Sequence, residues 1–240
     1  MKKALFLMTM LTILFPALSK ASAYWMEVIG SGKVNDAVTI RVIYGHIDEY
    51  SIRHRDGGNE LTLAGDFKMS VIDDKGQKLD VPISRKADCW EGTFVPTHNG
   101  SYRILGINDS HPVVDRSKTG GKNVRPIDYL CADFLVGTAV PVLKPVQLLD
   151  ILTTVQEGIV TVKAFNNNAL AANGTKLRVF NPENWEKELT VNEKGEAVFK
   201  TTMPGLYIIR QDWEEAGAGN YKGIAYSNIR HRCNYSLMVK

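Results

Sequence analysis

The chain has 240 residues, 29 Lys and Arg against 26 Asp and Glu, and a formal charge of +3. Residues 1–23 contain Lys2, Lys3 and Lys20 and no Arg, Asp or Glu; 29 less these three leaves 26 basic residues against 26 acidic, so the remainder is neutral. A neutral protein that is 44% hydrophobic and 23% charged is a folded globular chain, and it offers no electrostatic case for nucleic acid or an anionic membrane as a partner.

Lys2-Lys3 forms a positive start, Ala4 to Leu18 is an uncharged and mostly apolar run, and Ala21-Ser22-Ala23 supplies small residues. This is the pattern of a secretory signal peptide cleaved after Ala23. The run is short of the ~20 apolar residues that a membrane-spanning helix needs. The mature chain is therefore expected to be exported to the periplasm, or alternatively to the extracellular medium, and not to span a membrane after cleavage.

From Val38 onward the periodicity is that of strands. Val38, Ile40, Val42 and Tyr44 alternate with Thr39, Arg41 and Ile43; Phe67 to Val71 and Val160 to Ala164 alternate likewise. Turn clusters separate such runs: Asp56-Gly57-Gly58-Asn59, Asp73-Asp74-Lys75-Gly76, Asn99-Gly100, Asn173-Gly174 and Glu193-Lys194-Gly195. No window carries an amphipathic helix, so the fold class is all-β. A faint repeat supports two units: Phe94, Gly100 and Tyr102 recur 105 residues later as Phe199, Gly205 and Tyr207. A strand, a Gly turn and a strand opening on Tyr is a common unit of β-sandwiches, which run to ~100 residues. The prolines of Thr138 to Pro145 mark a connector. The expected organisation is a signal peptide (1–23), an N-terminal β-sandwich domain (24–138) and a C-terminal one (139–240).

Several segments together carry a resemblance. Tyr24-Trp25-Met26-Glu27 follows the signal; a strand ends Tyr44-Gly45-His46; Tyr129-Leu-Cys-Ala-Asp-Phe-Leu-Val-Gly137 and Gln147-Leu-Leu-Asp-Ile-Leu152 flank the connector; Leu189 to Phe199 and Pro204-Gly-Leu-Tyr207 lie in the second half. They resemble an exported bacterial family of unknown function that is labelled as a periplasmic component of nickel transport. The second half also looks like the prealbumin-like sandwiches that occur as regulatory modules in carboxypeptidases. The resemblance implies two tandem immunoglobulin-like or prealbumin-like sandwiches, a bound transition metal (nickel, with copper or zinc as alternatives) and an inner-membrane metal transporter as partner. A ligand position that this family fills with His beside the Trp is Tyr24 here.

Imidazole and thiolate are the side chains that suit such metals. His231-Arg-Cys233 is a local chelate candidate, because i and i+2 on a strand share a face. His46 ends a strand and matches the family's Gly-His pattern, and His54 could approach it if the intervening loop folds back, although Arg53 and Arg55 flank it with positive charge. The candidate metal residues are thus His46, His54, His231 and Cys233. His98 and His111 have turn and loop contexts. Of the three cysteines, Cys89 and Cys131 are the expected disulfide pair, since both would share a domain, with Cys233 left free.

Enzyme motifs fail. Gly30-Ser31-Gly32-Lys33 lacks the upstream Gly of a phosphate loop, where Glu27 stands, and has Val34 in place of Ser or Thr. No Gly-x-Ser-x-Gly elbow is present, and Asp73-Asp74-Lys75-Gly76 lacks the alternating oxygen ligands of a calcium loop. The expected protein is non-catalytic: an exported metal-binding accessory protein, or alternatively a carbohydrate- or protein-binding sandwich. For that alternative Trp185 and Trp213, in polar surroundings, are the candidate surface aromatics, whereas Trp90 belongs to the core.

Overall fold

A computed structural model of the protein describes residues 22–140 and 144–240. The expected signal peptide lies, apart from Ser22 and Ala23, outside the described residues. In chain order the first half forms β1 (Ala23–Ile29), β2 (Val38–Ile47), β3 (Arg53–Arg55), helix α1 (Gly58–Leu63), β4 (Lys68–Asp73), β5 (Lys78–Val81), β6 (Ser84–Arg85), β7 (Trp90–Phe94), β8 (Gly100–Asn108) and β9 (Val124–Val136). The second half forms β10 (Leu149–Gln156), β11 (Ile159–Asn166), β12 (Ala169–Leu170), β13 (Lys176–Phe180), β14 (Glu186–Thr190), β15 (Glu196–Lys200), β16 (Gly205–Tyr221) and β17 (Ile224–Val239). The alternating runs read from the sequence are β2, β4 and β11, and the protein is all-β.

Three sheets are built from these strands. An eight-stranded sheet has the order β14-β13-β16-β17-β9-β8-β4-β5, with β17 and β9 paired in parallel and antiparallel neighbours elsewhere. β1, β2, β7, β6 and β3 make a second sheet, and β10, β11, β12 and β15 a third. Side chains alternate across a strand, and the residues of β9 therefore divide between two cores. Leu130, Ala132 and Val136 join Met26, Ile40, Val42 and Ile104 under the β1–β2–β7 sheet. Tyr129 and Cys131 join Ile151, Val162, Leu177, Ile209 and Tyr235 under the β10–β11 sheet. The eight-stranded sheet thus serves both halves of the chain, and its middle is covered on both faces, the burial typical of parallel pairs.

The 105-residue repeat is realised as two tyrosine corners. The Tyr102 hydroxyl donates to the His98 carbonyl (2.8 Å) and the Tyr207 hydroxyl to the Met203 carbonyl (3.1 Å), each reaching back four residues. Phe94 and Phe199 pack on the respective rings, with centroids 5.7 and 5.9 Å apart.

The Asp56 to Asn59 cluster, expected to be a turn, opens α1 instead. Six residues show no amphipathic period, and tertiary packing decides: Leu61 and Ala64 are buried in the first core, and the Trp90 indole N–H donates to the Leu61 carbonyl at 2.7 Å.

A buried polar cluster fastens the third sheet to the central one. Arg103 of β8 bonds Asp133 of β9 (2.9 Å), Asp150 of β10 and the Ile151 carbonyl (2.8 Å). The Tyr235 hydroxyl donates to Asp133 (2.9 Å) and accepts from Thr153 (2.9 Å). Burial works against the Arg103 cation, but the carboxylates, Asp150 foremost, outweigh it and raise its pKa.

The expected pairing of Cys89 with Cys131 does not occur. Cys89 lies in a small cluster with Trp25, Ile43, Phe180 and Ile208, whereas Cys131 in the second core has its sulfur 3.5 Å from that of Cys233. All three thiols are free and buried. In the β9–β17 ladder Cys233 stands opposite Tyr129 and Cys131 opposite Tyr235. From strand spacing and rise this offset sets the two Cα atoms roughly 8 Å apart, beyond the ~7 Å limit of a disulfide.

Candidate functional site

Two His-x-Asp triplets flank the turn between β2 and β3: His46-Ile47-Asp48 and His54-Arg55-Asp56. The hairpin pairs His46 directly with His54. In an antiparallel register each histidine then lies diagonal to the aspartate of the opposite triplet. His46 Nδ1 is 2.6 Å from Asp56 Oδ2, and His54 Nε2 is 2.7 Å from Asp48 Oδ2. The imidazoles stack with centroids 5.0 Å apart and planes inclined by 21°. The hydrogen bond from His54, supported by the Ile52 amide, holds the Asp48 carboxyl below its usual range.

Gly45 makes this approach possible. A Cβ there would collide with the His54 carbonyl oxygen and the Trp25 ring, so only glycine lets β3 pair so closely at this point. The arginines beside His54 are directed elsewhere. Arg55 binds Glu27 (2.8 Å) and Asp88 (2.7 Å), and Arg53 lies over the Trp25 ring at 5.5 Å.

With Nδ1 of His46 and Nε2 of His54 turned to carboxylates, each ring retains one nitrogen for another partner. A carboxylate on the far nitrogen is the usual support for a metal-ligating histidine. His46 is mostly buried, with 13% of its side chain exposed, whereas His54 is 44% exposed and is the more accessible member of the pair.

His231 and Cys233 share the face of β17 toward the second core, as their i, i+2 spacing requires. Both His231 nitrogens are occupied: Nε2 is 3.0 Å from Glu215 Oε2 and Nδ1 3.0 Å from the Tyr129 hydroxyl. Burial lowers its pKa despite the Glu215 carboxylate, so the ring is neutral. Cys233 is in contact with Cys131, and burial pushes its thiol well up. The structure therefore brings His46 and His54 together and sets His231 and Cys233 in a separate, closed environment.

His98 joins Asp73 and Asp74, the one group of three potential ligands among the described residues with atoms within 4.8 Å of one another. Its Nε2 is 3.0 Å from Asp74 and 3.7 Å from Asp73, and Asp73 Oδ1 accepts the Lys75 and Gln77 amides of the β4–β5 hairpin. These contacts tie two turns together. His111 bonds the Pro112 carbonyl (2.7 Å) and Glu60 (3.3 Å).

Trp213, one of the two candidate surface aromatics, is half-buried, packed on the second core and 4.9 Å from the His231 ring. Trp185 is exposed (67%), and so is Tyr50 (76%). Their loops touch, with Asn184 Nδ2 donating to the Ser51 carbonyl at 2.8 Å. This places both aromatics on loops bordering the His46–His54 hairpin. Tyr50 and Asp48 had no part in the sequence reading, and Asp56 entered it only as the start of a turn cluster; the doubled His-x-Asp spacing was the available signal.

No known family model matches the chain, and no curated protein matches it.

Proposed function

We propose that this protein is an exported, non-catalytic metal-binding protein that takes a transition-metal ion at His46 and His54. One observation carries the reading: two directly opposed histidines on a hairpin, each backed by a carboxylate on its other nitrogen. Two imidazole nitrogens suit nickel, copper or zinc rather than calcium or magnesium. Nickel comes first because of the family resemblance in the sequence, which also supplies the proposed role of assisting uptake by an inner-membrane transporter from the periplasm.

Calorimetry with nickel, copper and zinc on the exported protein tests this. His46→Ala and His54→Ala should each abolish binding, and Asp56→Asn should weaken it about 10–100-fold, as loss of an outer-shell carboxylate does elsewhere. Binding that survives both histidine substitutions, or no binding by the parent protein, refutes it.

A second reading is favoured by Tyr50 and Trp185: exposed aromatic side chains on touching loops offer stacking surfaces for a glycan or a protein. Its test is quenching of tryptophan emission by oligosaccharides and its loss in Trp185→Ala.

A further inference from the structure

The segment that joins β8 to β9, residues 109–123, is held by few side chains, and only His111 and Val113 of it are buried. Near its start Asp109 pairs with Lys68 (2.9 Å), and the Ser110 carbonyl accepts from Lys222 (3.1 Å). Further on, Val114 is bridged to Val124 through the backbone. Between these points His111 reaches helix α1.

Both ring nitrogens of His111 face acceptors. Nδ1 is 2.7 Å from the Pro112 carbonyl oxygen, and Nε2 is 3.3 Å from Glu60 Oε2. A carbonyl and a carboxylate have no proton to give, and a neutral imidazole has one, so only the imidazolium donates at both ends. Burial works against that cation, but the hydrogen bonds to Glu60 and Pro112 and the charges of Glu60 and Asp128 outweigh it and raise the His111 pKa. The same hydrogen bond holds the Glu60 carboxyl below its usual range, against burial, with the Tyr24 hydroxyl (3.0 Å) and the Arg230 charge of β17 in support. Tyr24 of β1 and Tyr44 of β2, whose pKa values burial raises, face Glu60 as neutral phenols.

We infer that His111 is a proton-dependent latch: the imidazolium fastens residues 109–123 to α1 through Glu60, and loss of its proton releases them. A neutral ring has its single proton for one acceptor. Kept on Nδ1, that proton serves Pro112, the next residue in the chain, and the Nε2 lone pair then opposes the Glu60 carboxylate. The Glu60 side chain is 42% exposed and turns to water, whereas the segment loses one of its two buried anchors. By linkage, the closed form has its full advantage below the open-state value of about 6.5 and loses it as the pH rises through the higher value of the closed form. Each unit between the two values lowers the ratio of closed to open by about tenfold across the transition. The inference requires no ion at His46 or His54.

Two measurements on the exported protein test it. NMR titration of the histidine ring protons, with His111 assigned from the spectrum of His111→Gln, gives its midpoint. Hydrogen exchange of the amides between Ser110 and Arg116, corrected for the intrinsic pH dependence of exchange, gives the protection of the segment. The midpoint should lie above about 6.5, and protection should fall across it by about tenfold for each unit of that excess. His111→Gln should show no such step. Glu60→Gln keeps an acceptor oxygen but removes the charge, and it should bring the midpoint to about 6.5 or below and abolish the step. A parent midpoint at or below that value, or an equal step in His111→Gln, overturns the latch; should His111→Gln fail to fold, a midpoint and step in Glu60→Gln unchanged from the parent overturn it.

Discussion

Asp150 stands where the second half of the chain meets the central sheet, and replacing it tests how the layers are held. Its carboxylate is fully buried and accepts from Arg103, from the Ile151 amide (2.9 Å) and from the Val146 (2.7 Å) and Gln147 (3.2 Å) amides. In Asp150→Ala the Arg103 cation would keep only Asp133 and the Ile151 carbonyl. Breaking a buried pair from one side costs about 3–5 kcal/mol. The Ile151 amide, enclosed in the strand, adds about 1–3 kcal/mol as an unmet donor, whereas Val146 is 48% exposed and water can replace its partner. The expected loss is therefore about 4–8 kcal/mol, a large share of the ~5–15 kcal/mol that holds a folded protein together. Asp150→Asn, which keeps the shape and one acceptor oxygen, should lose roughly half as much. Urea unfolding followed by tryptophan emission measures both. A loss below about 1 kcal/mol in Asp150→Ala would refute the view that this cluster fastens the β10–β11 sheet to β8 and β9.

Three further outcomes follow from the same geometry. All three thiols are buried, so a thiol reagent should label none in the native protein and three after denaturation; rapid native labelling, or fewer than three sites on unfolding, would contradict the arrangement of Cys131 and Cys233. His231 is neutral in the fold because burial lowers its pKa. The unfolded chain binds that proton first, so the contribution of His231 is present above the unfolded value of about 6.5 and is lost as the pH falls below it; His231→Gln should flatten that acid limb of stability against pH, and an unchanged limb would rule the assignment out. Gly45→Ala should force β3 away from β2 through the collision with His54 and Trp25 and weaken metal binding while the core stays folded, as calorimetry and circular dichroism would show together; undiminished binding would mean that the close approach is not needed.

Local alternation made β2, β4 and β11 legible, because period-2 burial is written residue by residue. The 105-residue repeat was legible for a related reason: a tyrosine corner closes on its own chain four residues back, so Tyr102 and Tyr207 carry the signal within one segment. The parallel meeting of β9 and β17 has no such local trace. Strand β9 is apolar on both faces, which any buried strand could be, and the choice of β17 as neighbour is made by side chains a hundred residues distant, such as Tyr129 against His231. The cysteine partners depend on that same register, and for this reason proximity in the chain misdirected them. Helix α1 was hidden because its six residues form around Leu61 and Trp90 and not around a repeating pattern.

The histidine pair and the buried arginines differ in the same way. His46, His54, Asp48 and Asp56 belong to one hairpin, and the mirror symmetry of an antiparallel register converts two copies of His-x-Asp into two crossed pairs. Given a turn centred between the triplets, that outcome follows from spacing alone. Arg53 and Arg210 belong to strands 157 positions apart, and in the sequence each resembles any surface cation. What distinguishes them is a missing partner, the buried Nη2 of Arg53 without an acceptor and Arg210 without an ion pair among the described residues, and this becomes visible only when the neighbouring carboxylates have been assigned to other cations: Glu27 to Arg55, Asp212 to Arg178 and Arg232, Asp128 to Arg230. A chain of nearly even formal charge can therefore still bury a guanidinium away from any ion-pair partner among the described residues, as Arg210 shows.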